Sequence, residues 1–438
     1  MNYKLVFRLL GRLLLMEAAL MLPSMGVSLI FRQGDTLAFL EAIAITATVG
    51  VMLTFLLKPD RDDLTARDGM AVAGLSWVIL SFFGALPFVL SGAIPHVVDA
   101  FFEAVSGFTT TGSTILTEIE HLPRGVLFWR SFTHWIGGMG VLVFTLAVLP
   151  RLSGRTSHLA RAESPGPTFS KLLPKMGDTA KILYVLYFIL SFTETVSLLL
   201  AGMNLYDALI HTFGTAGTGG FSNYNSSVGA FHSPAIEWII GVFMMLFGVN
   251  FAIYFHLMRR EKEPILQSEE LWTYLSIVAA ATLLVTLSIL PRYNGFFEAL
   301  RYAFFQVTSI ISTTGFGTAD FNVWPLFSRS MLLLLMCIRA SFLTFYLGVG
   351  TSWQPTVVCK AVLRALGRMP DPGPGPGPLR CARVRVLALS AQPALREDTS
   401  CDCVTARCRV DAGPGAGPRA FAGAGVQVLL VLTLLSVS

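Results

Sequence analysis

Three stretches of the chain share one pattern: DAFFEAVSGFTTTGST (99–114), DALIHTFGTAGTGGFS (207–222) and YAFFQVTSIISTTGFG (302–317). Each is a short apolar run that leads into threonine and glycine. When the stretches are aligned on a shared alanine, a glycine recurs twelve residues later, with a threonine two residues before it. The aligned glycines are Gly112, Gly220 and Gly315. Because longer apolar segments flank each stretch, the chain repeats the order helix, short helix, Thr/Gly-rich strand, helix.

The longer apolar segments indicate a membrane protein. Of the 438 residues, 53% are hydrophobic and 13% are charged, whereas soluble domains carry roughly 25% charged residues. A membrane-spanning helix needs about 20 mostly apolar residues. The candidate spans are residues 5–31, 36–57, 69–91, 125–149, 182–202, 235–257, 271–290 and 326–350. The predicted fold is therefore an all-α polytopic membrane protein.

Basic residues in the short loops predict how these spans are oriented, because Lys and Arg are enriched in cytoplasmic loops. The loops before the third span, after the fourth and after the sixth are rich in Lys and Arg. All three loops are therefore assigned to the cytoplasmic side, and the N-terminus with them. The Thr/Gly-rich stretches then lie in loops on the opposite side of the membrane.

The Thr/Gly-rich stretches are suited to binding a monovalent cation. A chain that enters the membrane and turns back leaves backbone carbonyls without helical partners, which is tolerated where they face water or a bound ion. Glycine allows carbonyls to turn inward, threonine adds hydroxyl oxygens, and the preceding short helix aims its partly negative C-terminus at the same point. Rings of such oxygens replace the hydration shell of a monovalent cation. The candidate ion-binding residues are Thr110, Thr111, Gly112, Thr218, Gly219, Gly220, Thr313, Thr314 and Gly315.

Helix packing is the alternative interpretation of these stretches, because small residues let membrane helices approach one another closely. For a single stretch the two interpretations are equally good. Three stretches in register, each in a loop on the same side of the membrane, favour an ion filter.

The repeat divides the sequence into five parts. Two extra N-terminal transmembrane helices occupy 1–58, and pore repeats follow at 69–150, 176–260 and 270–336, the last with a truncated or altered second helix. Residues 337–438 form an atypical Cys-, Arg- and Pro-rich tail that contains all six cysteines of the chain.

The sequence resembles the Trk/Ktr family of bacterial potassium transport proteins over about residues 1–336. Besides the first stretch, the resemblance rests on FWRSFTHWIGGMGVLVFTLAVLP from Phe128, TETVSLLLAGMNLYDALIHTFGTAGTGGFSNYN from Thr193 and STTGFGTADFNVWP from Ser312. It implies four unequal, potassium-channel-like copies of a helix, pore-loop, helix unit around one pore, with one filter glycine in each copy. The two extra N-terminal helices resemble the Trk branch of the family.

The resemblance also implies a function and partners. It implies K⁺ uptake through a pore in the bacterial inner membrane, with potassium as the transported ion, no other cofactor and no covalent catalysis. The implied partners are a second copy of the chain, a cytosolic nucleotide-binding regulatory ring of the TrkA type, and membrane lipid. No nucleic acid is expected to bind.

The sequence departs from the family pattern after the third stretch. The family has there a helix interrupted by a small-residue gate loop and then a complete fourth repeat, and neither is recognisable. The change in composition at Cys337 favours translation in another reading frame over a genuine basic tail. The fourth repeat is therefore expected to be missing or frameshifted, and an inactive transporter product is the alternative function. An intramembrane enzyme is a weaker alternative, because the chain shows Thr/Gly repeats rather than a nucleophile clustered with a base.

Ionisable residues inside apolar runs are functional candidates in a membrane protein. The carboxylates of this kind are Glu17, Glu41 and Glu194. A structural ion pair is the favoured role for Glu194. The histidines His134, His211 and His256 lack the paired spacing of metal ligands, so packing or interfacial roles are predicted for them. The cysteines at 401, 403 and 408 resemble half a zinc site, and without a second ligand pair no metal site is predicted.

Overall fold

The computed structural model describes residues 2–56, 66–140, 176–258 and 260–346. Over these ranges the chain is helical, with turns and irregular segments between the helices and no β-strand. The predicted all-α fold is confirmed.

Fourteen α-helices lie in the described ranges, and α5, α8 and α13 are the short helices of the three Thr/Gly-rich stretches. The helices are α1 (Tyr3–Phe31), α2 (Thr36–Leu56), α3 (Ala66–Gly84), α4 (Leu86–Leu90), α5 (Val97–Phe108), α6 (Arg124–Gly138), α7 (Met176–Leu200), α8 (Leu205–Ala216), α9 (Pro234–Phe247), α10 (Phe251–Met258), α11 (Lys262–Leu266), α12 (Glu269–Ile289), α13 (Phe296–Ile311) and α14 (Leu326–Tyr346).

Four helical segments of the described chain are long and apolar enough to cross a membrane. They are Tyr3–Phe31, Thr36–Leu56, Ile182–Leu200 and Glu269–Arg292. Shorter apolar helices occupy Gly74–Leu90, Pro234–Phe247 and Leu326–Ile338. Their outward faces carry large exposed apolar side chains, as expected of helices that contact lipid.

Two predicted spans are interrupted in the structure. The span at 69–91 divides between α3 and α4, because Pro87 has no N–H to donate and its ring clashes with the carbonyl four residues back. The span at 235–257 divides between α9 and α10 at Gly248 and Asn250, two residue types with low helix propensity. The span at 125–149 begins as α6, and its part from residue 141 onward lies outside the described residues.

The N-terminal hairpin of α1 and α2 is held by a close crossing of two glycines. A Cβ on Gly11 would lie 2.7 Å from the Leu53 Cβ and 2.9 Å from the carbonyl oxygen of Gly50. A Cβ on Gly50 would in turn lie 3.0 Å from the carbonyl oxygen of Gly11. Small residues of this kind let two membrane helices pack through their backbones.

The first short helix, α5, lies in an aromatic core rather than in lipid. Phe108 at its end packs with Phe39, Phe88, Trp129 and Phe213, which come from the N-terminal hairpin, α4, α6 and α8. The Trp129 indole Nε1–H donates a 2.9 Å hydrogen bond to the Gly84 carbonyl. Because buried polar groups need partners, this bond fixes the end of α3 against α6.

The third short helix, α13, has a core of its own. Ala303 and Val307 on this helix pack with Val285 of α12, Leu332 of α14 and Trp324. These two short helices therefore pack against other helices of the protein, and a Thr/Gly-rich segment follows each of them.

The composition change at Cys337 does not end a helix, since α14 continues to Tyr346. The predictions made for the tail beyond that point, including the missing or frameshifted fourth repeat and the cysteines at 401, 403 and 408, lie outside the described residues.

Candidate functional site

Each Thr/Gly-rich segment begins at the C-terminus of a buried short helix, and all three begin in the same way. The backbone N–H of Thr110 donates to the carbonyl of Gly107 at 3.0 Å, which closes the last turn of α5. The same bond joins Thr218 to Thr215 at 3.0 Å and Thr313 to Ile310 at 3.1 Å. Each helix therefore directs its partly negative C-terminus toward the segment that follows it.

The segments have a left-handed backbone at two positions, a threonine and the glycine two residues later. In the first segment φ is 55° at Thr110 and 74° at Gly112. The corresponding values are 53° at Thr218 and 72° at Gly220, and 65° at Thr313 and 85° at Gly315. A residue with a side chain costs about 1–2 kcal/mol in this conformation, and such strain is found mainly at functional sites.

The prediction that these segments are strands is wrong. They form irregular loops, because left-handed residues cannot be part of a regular β-ladder. We call them loops 1, 2 and 3, and they cover residues 109–115, 217–223 and 312–318.

The three loops meet through their glycines. A Cβ built on Gly112 would collide with the carbonyl oxygen of Gly219, and one on Gly220 would collide with the carbonyl oxygen of Thr314. In both cases the glycine of one loop touches the carbonyl just before the glycine of the next loop. No described residue lies within 4 Å of a Cβ built on Gly315. The structure thus brings the predicted site residues of the three loops together, in chain order.

Hydrogen bonds of loop 3 and of the segments that follow loops 1 and 2 support this arrangement. The Ile119 N–H donates to the Asn225 side-chain oxygen at 3.2 Å, which links the first repeat to the second. The Gly229 N–H donates to the Gly317 carbonyl at 3.2 Å, and the Gly317 N–H donates to the Ser227 hydroxyl at 3.3 Å, which links the second repeat to the third.

A buried ion pair beside the loops was not predicted from the sequence. The Arg130 guanidinium on α6 lies 2.6 Å from the Glu103 carboxylate on α5, and both side chains are almost fully buried. Glu103 also accepts bonds from the Thr114 hydroxyl at 2.8 Å and from the Ile115 N–H at 3.2 Å. The carboxylate therefore holds the end of loop 1 against its own short helix.

In the second repeat, a histidine instead of a carboxylate joins the short helix to the end of its loop. His211 lies in the register position of Glu103, and its Nδ1 is 2.8 Å from the Asp207 carbonyl. Because a carbonyl accepts hydrogen bonds and cannot donate them, Nδ1 carries the proton. In the neutral ring, Nε2 then accepts from the Ser222 hydroxyl, 3.1 Å away. A packing role was predicted for His211, and the structure places it at the end of loop 2.

In the third repeat this register position is Gln306, which is buried. Its side-chain oxygen has no hydrogen-bond partner within the ranges that the structure describes. The sequence signal for all three residues was their shared position, nine residues before the aligned glycine, and it emerges once the three stretches are aligned.

Asp207 anchors the last residue of loop 2 and the residue that follows the loop. This carboxylate accepts from the Asn223 side chain at 2.7 Å and from the Tyr224 hydroxyl at 3.2 Å. Asn204 caps the N-terminus of α8 by accepting from the Asp207 N–H at 2.9 Å. Partial burial, together with the neighbouring Asp207 carboxylate, raises the pKa of Tyr224 above its usual value, so this hydroxyl remains a donor at neutral pH.

The other candidate residues lie elsewhere or have different surroundings. Glu17 and Glu194 are buried within α1 and α7, whereas Glu41 on α2 is exposed. His256 lies 2.8 Å from Glu261, far along the chain from the loops. His134 is buried beside loop 2, since a Cβ on Gly219 would collide with its imidazole. Among the described residues, no group of three or more His, Cys, Asp or Glu could hold a metal ion.

The fold and the site define a polytopic helical membrane protein in which three Thr/Gly-rich loops meet. A family model described as "Cation transport protein", TrkH, matches residues 36–290. The chain belongs to the TrkH family of cation transport proteins.

Solved and curated relatives support this assignment. The Trk system potassium uptake protein TrkH of Halomonas elongata is 38% identical over 329 residues, which cover 74% of this chain and 68% of that protein. TrkH of Escherichia coli K12 is 36% identical over 340 residues, which cover 76% and 70%. The crystal structure of the potassium transporter TrkH from Vibrio parahaemolyticus superimposes with a TM-score of 0.67 at 33% identity, covering 76% of this chain and 70% of that one.

Proposed function

We propose that this chain transports K⁺ across a membrane, and that loops 1, 2 and 3 form its ion filter. The observation that carries the proposal is the chain of contacts in which the glycine of one loop touches a carbonyl of the next. Successive contacts of this kind arrange backbone oxygens around a common site. Oxygens so arranged replace the hydration shell of a monovalent cation.

The residues proposed to bind the ion are those predicted from the sequence. Gly112, Gly220 and Gly315 allow the close approach of the loops, and the carbonyls of Gly219 and Thr314 lie at the contacts. The threonines of each loop supply further oxygens. The ligands are Thr110, Thr111, Gly112, Thr218, Gly219, Gly220, Thr313, Thr314 and Gly315.

The same proposal includes the division into repeats, the membrane in which the chain lies and its partners. Residues 69–150, 176–260 and 270–336 act as pore repeats behind an N-terminal hairpin at 1–58. The basic short loops support a cytoplasmic N-terminus, and the family resemblance supports the bacterial inner membrane. The resemblance also supports a homodimer that works with a cytosolic nucleotide-binding ring, with K⁺ as cargo.

Ion flux into liposomes tests the function. The purified 438-residue chain is reconstituted into liposomes loaded with KCl, and the uptake of radioactive Rb⁺ is followed against protein-free liposomes. We expect Rb⁺ uptake that depends on the protein, and external K⁺ should suppress it more strongly than Na⁺ does. Uptake equal to that of protein-free liposomes would contradict the proposal.

A further inference from the structure

An aromatic ring directly follows the filter glycine in two of the three loops. Phe221 follows Gly220 and Phe316 follows Gly315, whereas Ser113 stands at this position in loop 1. Both rings are buried, with exposed fractions of 2% and 0%. Both also contact residues of the preceding repeat, so they lie at the boundaries between repeats.

Phe221 is enclosed by two side chains of α6. The guanidinium carbon of Arg130 lies 3.5 Å from the centroid of the ring. The imidazole of His134 stacks on the same ring with a centroid separation of 4.0 Å and an angle of 22° between the planes. Two groups this close to one centroid cannot share a face, so the ring lies between them. His134 also contacts Gly219, one of the proposed ion ligands.

Arg130 is itself held in place. Its Nε lies 2.6 Å from Glu103, and its Nη1 donates to the Ser222 carbonyl at 3.2 Å. The same guanidinium therefore contacts the first short helix, the ring of Phe221 and the backbone of the next residue. A planar, fully charged group can make these contacts together, which a lysine ammonium cannot.

Phe316 makes the corresponding contact at the boundary between the third repeat and the second. Its ring lies beside His211 of the second repeat, with centroids 5.5 Å apart and planes at 34°. A Cβ on Gly214 would lie 2.7 Å from the Phe316 ring, so the ring packs directly on the backbone of α8. The Ser309 hydroxyl donates to the Phe316 carbonyl at 2.6 Å and fixes its main chain.

We propose that Phe221 and Phe316 are positioning residues that set the ion selectivity of the filter. Each ring is inserted into the preceding repeat, and it fixes the glycine before it relative to the neighbouring loop. This inference rests on the proposed function, because it assigns the filter to these loops. Selectivity depends on the size of the site or on the number and field of its oxygens, and the position of each loop relative to the next affects both.

The test compares the effects of K⁺ and Na⁺ on thermal unfolding. At a given concentration, an ion that binds the folded chain more tightly raises the unfolding temperature further, so the shift reports on binding. The purified full chain is unfolded in detergent with KCl, NaCl or choline chloride at equal ionic strength. The variants are Phe221→Leu and Phe316→Leu. The matched control is Phe297→Leu, since Phe297 is 80% exposed on the same helix that leads into loop 3.

We expect the wild-type chain and Phe297→Leu to unfold at a higher temperature in K⁺ than in Na⁺. Phe221→Leu and Phe316→Leu should still unfold cooperatively in choline chloride. Their unfolding temperatures in K⁺ and Na⁺ should no longer differ. If both variants keep the wild-type difference, the inference is wrong although the proposed function stands. If the wild-type chain shows no difference, the proposed function and this inference fail together.

A second variant covers the case in which Phe221→Leu does not fold. Arg130→Lys keeps the charge opposite Glu103 but removes the planar group from the ring of Phe221. The unfolding temperature of this variant should also be the same in K⁺ and in Na⁺. Retention of the difference in Arg130→Lys, together with its retention in Phe316→Leu, would overturn the inference.

Discussion

Replacing Gly112 or Gly220 with alanine should destabilise the chain by about 2–5 kcal/mol and abolish its stabilisation by K⁺. Two effects add at these positions. The backbone is left-handed, with φ of 74° and 72°, which strains any residue that has a Cβ. The new methyl group would also collide with a carbonyl of the next loop, Gly219 or Thr314. Denaturant unfolding in detergent, with and without K⁺, measures both effects.

Gly92 provides the matched control for this experiment. Its φ of 73° is nearly the same, but no described atom lies within 4 Å of a Cβ built on it. Gly92→Ala should therefore cost about 1–2 kcal/mol from backbone strain and leave the K⁺ response intact. If Gly112→Ala and Gly220→Ala are no more harmful than Gly92→Ala, the contacts between the loops do not exist as described.

Removing Arg130 should be the most damaging change to the surroundings of the loops. Arg130→Met leaves the Glu103 carboxylate buried without its counter-ion, and breaking a buried pair in this way costs about 3–5 kcal/mol. Adding Glu103→Gln should restore part of that loss, because the amide carries no charge and can still accept from Thr114. The free energy of unfolding of the single and double variants measures this coupling.

Arg124→Met is the control for the ion pair. Arg124 begins the same helix, but it is exposed and contacts the ring of Phe31 at 4.3 Å. An exposed contact of this kind contributes about 0.5–1 kcal/mol, so the loss should be small. A double variant that is less stable than Arg130→Met alone would contradict the coupling between Arg130 and Glu103.

The sequence predicted that the three Thr/Gly-rich stretches lie close to one another. The aligned glycines predicted three equivalent loops, and Gly112 and Gly220 do touch the following loops in the structure. The glycines could be aligned because each lies at the same distance from a short helix, and that helix can be recognised in the sequence by its apolar residues. The backbone of the loops was predicted less well, since left-handed threonines such as Thr218 look like strand residues in a sequence.

The side chains that support the loops could not be predicted in the same way. Glu103 and Arg130 lie on different helices, and neither helix shows a local pattern that pairs them. The position of Phe221 between Arg130 and His134 depends on how α6 crosses the second repeat, which is a property of the tertiary packing. The division of the predicted span 69–91 into α3 and α4 was missed as well, although Pro87 acts locally on the helix that contains it.

Locating the ion itself tests the central claim most directly. Crystals of the full chain grown with Tl⁺, which substitutes for K⁺ and scatters anomalously, would show where a monovalent cation binds. We predict an anomalous peak between loops 1, 2 and 3, within coordination distance of the carbonyls of Gly219 and Thr314. A well-ordered structure with Tl⁺ bound elsewhere, and no peak between the three loops, would contradict the account.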